Sequence, residues 1–314
     1  MDQSQSVARV SPVFTKVAID YFNQDSSFVA LQVLPMLKVE TDTGIYFQFD
    51  KSALRQEQTL RADGTYAAEA RDGLSQVTYG PIEDHSLWGK VTDKQARQMG
   101  GMTKALNSKT RKVMGRLLIR REIDAKAVLD AAITNTVTLS GTTQWSDSSS
   151  DPVSAVKTAR ETVKLACLMT PNTLVLSYPV WSALLVHPQI IGRLNGLSVA
   201  ANKALLANIL DVQNIIVADA AYNSARQGAA DSVSYIWGKD AYLCYVAADA
   251  SEDVETMTLG HTLTLTAEDG ETPELSVLEW RDARGKFNGV EPHMSYSQKV
   301  MAAEAGYRFI NAVA

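Results

Sequence analysis

The chain has 314 residues, a formal net charge of −5, 46% hydrophobic residues and 21% charged residues. That apolar content supports a packed core and excludes wholesale disorder, and the length suits one large domain or two to three modest ones. No apolar run approaches the roughly 18–20 residues of a membrane-spanning helix, and the polar start Met1 to Ser6 lacks the basic and apolar parts of a signal peptide. Cys167 and Cys244 form no CxxC motif, so they read as reduced, buried small hydrophobes of a protein made in cytoplasm.

Residues 1–11 are polar. From Pro12 to about Asn23, Val13, Val17 and Tyr21 recur at the i, i+4, i+8 spacing of a short amphipathic helix. Pro35 ends any helix through Ser27 to Leu34. Leu37–Val39 and Gly44–Phe49 read as strands, with Tyr46 on one face and Phe47 and Phe49 on the other. Asp50 to Ser75 then carries nine charged residues in 26 and few large aliphatics, before Val77–Tyr79 and Ser86–Val91 return as strands. Two readings stand side by side: a loose surface loop, or a long hairpin lying across a neighbouring subunit. The second follows from the cost of ordering backbone that buries little apolar surface of its own.

After Gly100 and Gly101, residues 108–133 contain no proline and predict the longest helix, with Ser108 as its N-cap. Val113, Leu117, Ala125, Val128, Leu129, Ala132 and Ile133 define its buried stripe, while Lys112, Arg116 and Arg120 form a basic ridge on another face. At 1.5 Å per residue this helix is about 39 Å long. Between Lys104 and Lys126 there are eight Lys/Arg against two acids, Glu122 and Asp124; that balance of +6 leaves −11 for the rest of the chain. With so few acids to pair with, the ridge reads as a face free to meet phosphates rather than a solvated row of i, i+4 pairs. The overall acidity argues against the whole surface binding nucleic acid.

Ser140 to Pro152 is a Ser/Thr/Gly/Asp-rich linker closed by an Asp-Pro helix start. Helix Val153–Ala166, strand Asn172–Ser177, helices Val180–His187 and Asn202–Leu210, and strand Asn214–Ala218 follow. Strands Ser232–Trp237 and Ala241–Val246, turning at Gly238–Asp240, complete a mixed α/β body around an apolar sheet. Trp237 and Tyr245 are core or interface aromatics. The final stretch is strand-rich over Leu259–Thr266, Glu274–Asp282, His293–Met301 and Tyr307–Ile310, with Arg284 to Gly289 a basic, glycine-bounded turn.

Catalytic templates are absent: the sequence has no GxSxG, HExxH, GxGxxG or GxxxxGK[ST]. His85, His187, His261 and His293 lack metal-ligand spacing. Asp84 and His85, adjacent on a strand, would point to opposite faces. Asp63-Gly64 and Asp269-Gly270 are turn signals without a calcium-liganding pattern behind them. No catalytic residue, metal or cofactor is expected.

Taken in order, these segments resemble the major capsid protein of tailed double-stranded-DNA bacteriophages, the Hong Kong 97 fold family. Phe28 to Pro35 (FVALQVLP) is similar to the entry to its body; Gly44 to Asp50 and Arg61 to Thr65 (RADGT) to the outgoing strand and tip of its extended loop. Gln144 to Asp147, Asp151-Pro152, Pro171 to Leu176 and Val186 to Pro188 resemble the start of its axial domain. Asp219 to Asn223 and Ile236 to Ala241 resemble later axial segments, and Glu279 to Asp282 and Ala305 to Asn311 the closing strands. The resemblance covers nearly the whole chain and rests on the ordered set, not on any single motif.

It implies an α+β, Hong Kong 97-like capsid fold with a long spine helix, an extended β-hairpin loop and a mixed α/β axial domain. The implied divisions are an N-terminal arm (1–36), the extended loop and flanking strands (37–92), the peripheral-domain spine helix (93–140), the axial domain (141–272), returning peripheral strands (273–302) and a closing axial strand (303–314). The implied function is structural, not enzymatic: pentamers and hexamers of the chain tile an icosahedral head around packaged double-stranded DNA held by nonspecific electrostatics. A portal would join them, a decoration protein is an optional further partner, and no membrane is involved. No scaffolding segment of about a hundred residues precedes the fold, so a separate scaffold protein is implied. Arg55, Arg61 and Arg71 are expected to meet acids of an adjacent copy, and Lys112, Arg116 and Arg120 to face the lumen or a subunit seam. Arg284, Lys286 and Asn288 mark a peripheral-domain turn. The covalent cross-link of one branch is not carried over, because Lys51 and Asn288 are only loosely placed for it. The alternatives are an encapsulin-like compartment shell and, from a different class, a cytoplasmic α/β enzyme.

Overall fold

The structure, a computed structural model, describes residues 8–24, 27–49, 55–57, 59–64, 66–67, 69, 73–194, 203–226, 228–247, 257–265 and 275–314. In chain order the elements begin with β1 (Arg9–Val10), α1 (Pro12–Gln24), α2 (Ala30–Val33), β2 (Met36–Val39), β3 (Gly44–Phe49) and β4 (Leu74–Tyr79). There follow β5 (Glu83–Ser86), β6 (Gly89–Thr92), α3 (Asp93–Gln98), α4 (Met102–Ala132), β7 (Asn135–Thr138), α5 (Pro152–Cys167), β8 (Thr173–Ser177), α6 (Tyr178–Leu185), α7 (Pro188–Leu194) and α8 (Lys203–Leu210). The remainder is β9 (Asn214–Ala218), β10 (Ala221–Asn223), β11 (Val233–Tyr235), β12 (Ala241–Cys244), β13 (Gly260–Leu265), β14 (Ser276–Asp282), β15 (Phe287–Val300) and β16 (Gly306–Ile310).

The spine is α4. Its 31 residues make it about 46 Å long, and it starts six residues before the expected Ser108 cap. The cause lies just upstream, where α3 is opened by a reciprocal capping box between Thr92 and Gln95. Gly101, at φ 129°, then turns the chain directly into α4 through a backbone conformation that side-chain-bearing residues avoid. The expected stripe is buried at Val113, Leu117, Ala125, Leu129 and Ile133 and half-buried at Val128 and Ala132. In α1 the register differs from expectation: Phe14 and Ala18 face the core, whereas Val13 is 61% exposed. Both residues pack with Leu106, Met114 and Leu118 of α4 and with Val290 and Met294 of β15. The larger aromatic ring claims the interior and rotates the helix by one position.

Two sheets flank the spine. The seven-stranded sheet runs β1-β14-β15-β13-β2, with β5 and β6 also paired to β15. The expected single strand Ser86–Val91 is two strands, since Leu87 and Trp88 leave the ladder between β5 and β6. The five-stranded sheet runs β7-β16-β12-β8-β9, parallel at its two outer pairs and antiparallel in the middle. β8 and β12 are buried at every position. Leu174, Leu176, Ala241 and Leu243 pack with residues of α5, α6 and α8, whereas Val175, Tyr242 and Cys244 pack against Ala125 and Leu129 of the spine and Ile133 just past its end. Alternation along two central strands thus serves two hydrophobic layers.

Three further expectations need correction. The segment 140–152 is no loose linker: Trp145 is buried against Phe309 (ring centroids 4.9 Å apart), its backbone N–H donates to Ala312 O, and the Gln144 side chain donates to the Asn311 and Val313 carbonyls. The expected hairpin at Gly238–Asp240 does not form. Instead β11 pairs with β10 while β12 enters the five-stranded sheet, because a fully apolar strand gains more from central burial than from an exposed partner. Helix α7 was not anticipated.

One buried carboxylate ties these parts together. Glu122, midway along α4 and fully enclosed, accepts hydrogen bonds from Val29 N (3.0 Å), Ala30 N (2.9 Å) and Trp237 Nε1 (2.6 Å). It therefore satisfies the first amides of α2 and the indole of Trp237, which lies in the turn between β11 and β12. Burial raises its pKa above the ordinary glutamate value in spite of these donors.

Trp237→Phe should lower the urea midpoint of dissociated subunits with m unchanged, corresponding to a stability loss of about 1.5–3 kcal/mol from the lost charge-assisted hydrogen bond alone. The folded chain also holds the Glu122 proton to higher pH than the unfolded chain. That contribution to stability is full below the unfolded value of 4.5 and fades as pH rises through the folded one. Glu122→Gln should remove this slope from the stability profile just above pH 4.5, as read by urea denaturation at a series of pH values.

Candidate assembly surfaces

Strands β3 and β4 pair over six residues, from Gly44 opposite Tyr79 to Phe49 opposite Leu74. The base of this hairpin is anchored: Tyr46 and Tyr79 are buried with Leu37, Val39, Leu263 and Met301. Asp42 accepts the Ile82 amide at 2.7 Å. A Cβ on Gly44 would lie 2.4 Å from the Tyr79 hydroxyl, so this close approach requires glycine. Past the paired strands every described residue from 55 to 69 is exposed, including Arg55 and Arg61; Leu60 is 84% and Tyr66 100% exposed. Asp63-Gly64 makes the expected turn, with Gly64 at φ 78°. Arg71, Lys51 and Asp269-Gly270 lie outside the described residues.

On the spine, Lys112 and Arg116 are exposed as expected. Arg120 is different. Its side chain is 63% exposed but holds Asp124 in a two-pronged pair, Nε–Oδ2 3.0 Å and Nη2–Oδ1 2.8 Å. Asp124 also accepts the Tyr296 hydroxyl at 3.2 Å, and burial with this negative neighbour pushes the Tyr296 pKa up. One ridge position is therefore neutralised within the chain, by the very i, i+4 pairing that the scarcity of acids argued against. Lys126 turns inward. It lies 2.5 Å from Asp130 and 3.7 Å from Asp240, while Arg308 meets the same two carboxylates at 3.2 and 2.7 Å. Tyr242 donates to Asp130 at 2.5 Å, and Asn311 N to Asp240 at 3.0 Å. This partly buried network joins the spine to β12 and β16, and its members are too scattered in sequence to announce it.

The β14–β15 turn spans residues 283–286, with Arg284 and Lys286 exposed. Asn288 is not in the turn but in β15, where its Oδ1 accepts Arg281 Nη1 at 2.7 Å. Arg281 also grips Asp93 through two bonds of 2.5 and 2.8 Å, which hold the Asp93 carboxyl below the usual range. The strand continues through Asn288 because Phe287 to Val290 pair with β6 as well as β14. Beside them Trp88, 54% exposed, packs on Trp280 and Phe287 at centroid distances of 5.8 and 6.3 Å.

The chemistry-bearing residues are otherwise occupied. His187 is buried, with Nδ1 accepting Gln189 N at 3.2 Å, so its proton sits on Nε2, which faces Asp147 O and Ser150 Oγ at 3.1 and 3.0 Å. Burial lowers the His261 pKa to about 4 and raises that of Cys244 to about 12, keeping both neutral. Cys167 and Cys244 are buried, with their thiols directed at the carbonyls of Met169 and Thr173. His85 stacks on Tyr296 while Asp84 accepts from Ser295, so the two neighbours do diverge. Among the described residues no group of three His, Cys, Asp or Glu could hold a metal, and no helix is long and apolar enough to cross a membrane.

Comparison with known proteins gives this arrangement its relatives. The family described as Phage major capsid protein E matches residues 123–250. The chain is 25% identical to the major capsid protein of Burkholderia phage BcepMu, covering 95% of each chain, and 28% identical to that of Pseudomonas phage JBD67, covering 97% of each. Its fold is similar to that of a phage-related protein from Bordetella bronchiseptica (TM-score 0.73, 24% identity, 98% of each chain). It is also similar to the capsid of cyanophage P-SCSP1u (TM-score 0.57, 9% identity, 88% of this chain and 86% of that one). The α+β fold expected from the sequence, and the resemblance that suggested it, are borne out.

Gly289→Ala should disturb the exposed aromatic group, since its Cβ would fall 2.3 Å from the Trp280 ring. The expected outcome is a loss of about 1–3 kcal/mol with a shift in tryptophan emission, measured on the same urea titration.

Proposed function

We infer that this chain, a major capsid protein of the tailed-phage type, builds its shell by laying the hairpin excursion of each copy across the next. The observation that carries this reading is the contrast between the two ends of the hairpin. Its base is packed into the core, whereas beyond it Tyr66 is fully and Leu60 largely uncovered. Burying two such side chains on a neighbour contributes about 1.5–3 kcal/mol each, repeated at every copy of a closed lattice. Copies of the chain are the principal partners, and the assembled shell is the virion head.

In this reading residues 1–36 are an arm, 37–92 the extended loop with its strands, 93–140 the spine and 141–272 the axial domain. Residues 273–302 are returning peripheral strands, and 303–314 the closing axial strand. Pentamers and hexamers form with a separate scaffold protein and a portal in the bacterial cytoplasm, admit a decoration protein, and surround double-stranded DNA held without sequence preference. Arg55, Arg61 and Arg71 pair with acids of the adjacent copy, and Lys112 and Arg116 face the lumen or a seam, with Arg120 beside them already bound to Asp124. The role is structural. The match to capsid protein families favours a genome container over an encapsulin-like compartment, and the catalytic motifs of an α/β enzyme are missing from the sequence.

Electron microscopy of purified particles should find this chain as the bulk protein of nucleic-acid-filled heads; shells holding only protein cargo, or a stable monomer with saturable turnover, would overturn the reading. Reversing Arg55, Arg61 and Arg71 to Glu together should cut particle yield at low salt at least about tenfold while leaving the subunit's circular dichroism unchanged. An unaltered yield would remove the proposed pairing.

A further inference from the structure

The β14–β15 turn and the N-terminal half of α4 are far apart in sequence but meet around α3. Asp93, its first residue, is gripped by Arg281, its N–H donates to Lys286 O at 3.1 Å, and Arg97 and Lys286 add to the positive field on its carboxylate. On one side of α3 an open cleft of about 840 Å³ is bordered by Arg97, Arg281 and Lys286. On the other a cleft of about 200 Å³ is bordered by Lys90, Lys109 and Lys112, with Gln95, Gln98 and Ser108 as neutral hydrogen-bonding groups. Exposed Lys104 and Arg116 extend the same positive surface along α4.

Among the described residues, none of these cations except Arg281 has a carboxylate at salt-bridge distance. Exposed acids on the described surface lie elsewhere: Glu40 and Asp42 ahead of the hairpin stand near Glu83 and Asp84 of β5, where Ile82 N donates to Asp42, and the others are spread over the rest of the chain. The positive charge is concentrated at one end of the fold, along α3, the start of α4 and the β14–β15 turn. It is a good match for a linear polyanion carrying one charge per roughly 1.7 Å of its axis.

We propose that this basic end, built from α3, the first half of α4 and the β14–β15 turn, is the surface that contacts the phosphate backbone of duplex DNA. The proposal rests on the reading of the chain as the shell of a DNA-filled head. Lysine and arginine ends with neutral amides between them contact phosphates without reading base edges, so binding is independent of sequence.

The test measures binding of a short labelled DNA duplex to the unassembled full-length subunit over a range of salt concentrations. Lys104→Glu, Lys112→Glu and Arg116→Glu combined should flatten the slope of log K against log[salt] by about 2.7, at about 0.9 for each phosphate no longer neutralised. The corresponding triple change to Gln should flatten it similarly while keeping the wild-type urea midpoint. Reversal of Lys157 and Lys164 on α5 should leave the slope unchanged. Slopes that stay at the wild-type value in both triple variants overturn the assignment, as does polyglutamate displacing the duplex at equal charge concentration. Shell formation is scored separately by negative-stain microscopy. A wild-type chain that binds duplex as expected yet forms no shells overturns the capsid reading alone; shells with an unflattened slope overturn only this surface.

Discussion

A carboxylate sealed inside the molecule, with three N–H donors aimed at it, is the constraint around which the rest is arranged. Glu122 is sealed from bulk solvent, so the amides of Val29 and Ala30 and the indole of Trp237 must stay where they are to satisfy it. The donors come from two distant parts of the chain: the segment entering the body, and the turn between the small hairpin and the five-stranded sheet. A charge that is costly to bury and still more costly to leave unpaired thus fixes the placement of both segments on the spine, where hydrophobic packing alone would accept slippage.

A second polar cluster repeats the device farther down the spine. Lys126 and Arg308 share Asp130 and Asp240, and Tyr242 closes the group. The two clusters bracket the apolar contact of Ala125 and Leu129 with Val175 and Cys244, so the spine meets the five-stranded sheet through an oily strip pinned at both ends. The other half of α4 lies on α1 and β15 through apolar contacts. One helix therefore serves two sheets by different means: polar pins where orientation must be set, and plain hydrophobic burial where a broad face is to be covered.

Much of this was legible in the residues. Runs such as Gly44–Phe49 and Asn214–Ala218 became β3 and β9 with their boundaries intact, because alternation and β-branching speak for themselves over short spans. The spine's identity was also plain, although its start was not, since the double glycine that turns the chain into it also looks like a loop. What stayed hidden was nonlocal. Trp145 sits in so polar a stretch that only its contact with Phe309, far along the chain, reveals a core residue, whereas the Arg120–Asp124 pair is local and is discounted because acids are scarce along that face. The surfaces follow the same rule: the excursion was visible from composition, whereas the gathering of Lys90, Arg97 and Lys286 around α3 depends on strand pairing no local pattern encodes.

The long strand β15 has a mechanical corollary. Fourteen residues of one strand hydrogen-bond in turn to β14, β6, β5 and β13, so a push at the Trp88 end reaches the far end through a single continuous batten. Bending it at any point would require ladder bonds to the strands paired there to break. When a container built of such subunits swells or is squeezed, the give must come from the joints between pieces, while this plank keeps its shape and carries the load across each tile.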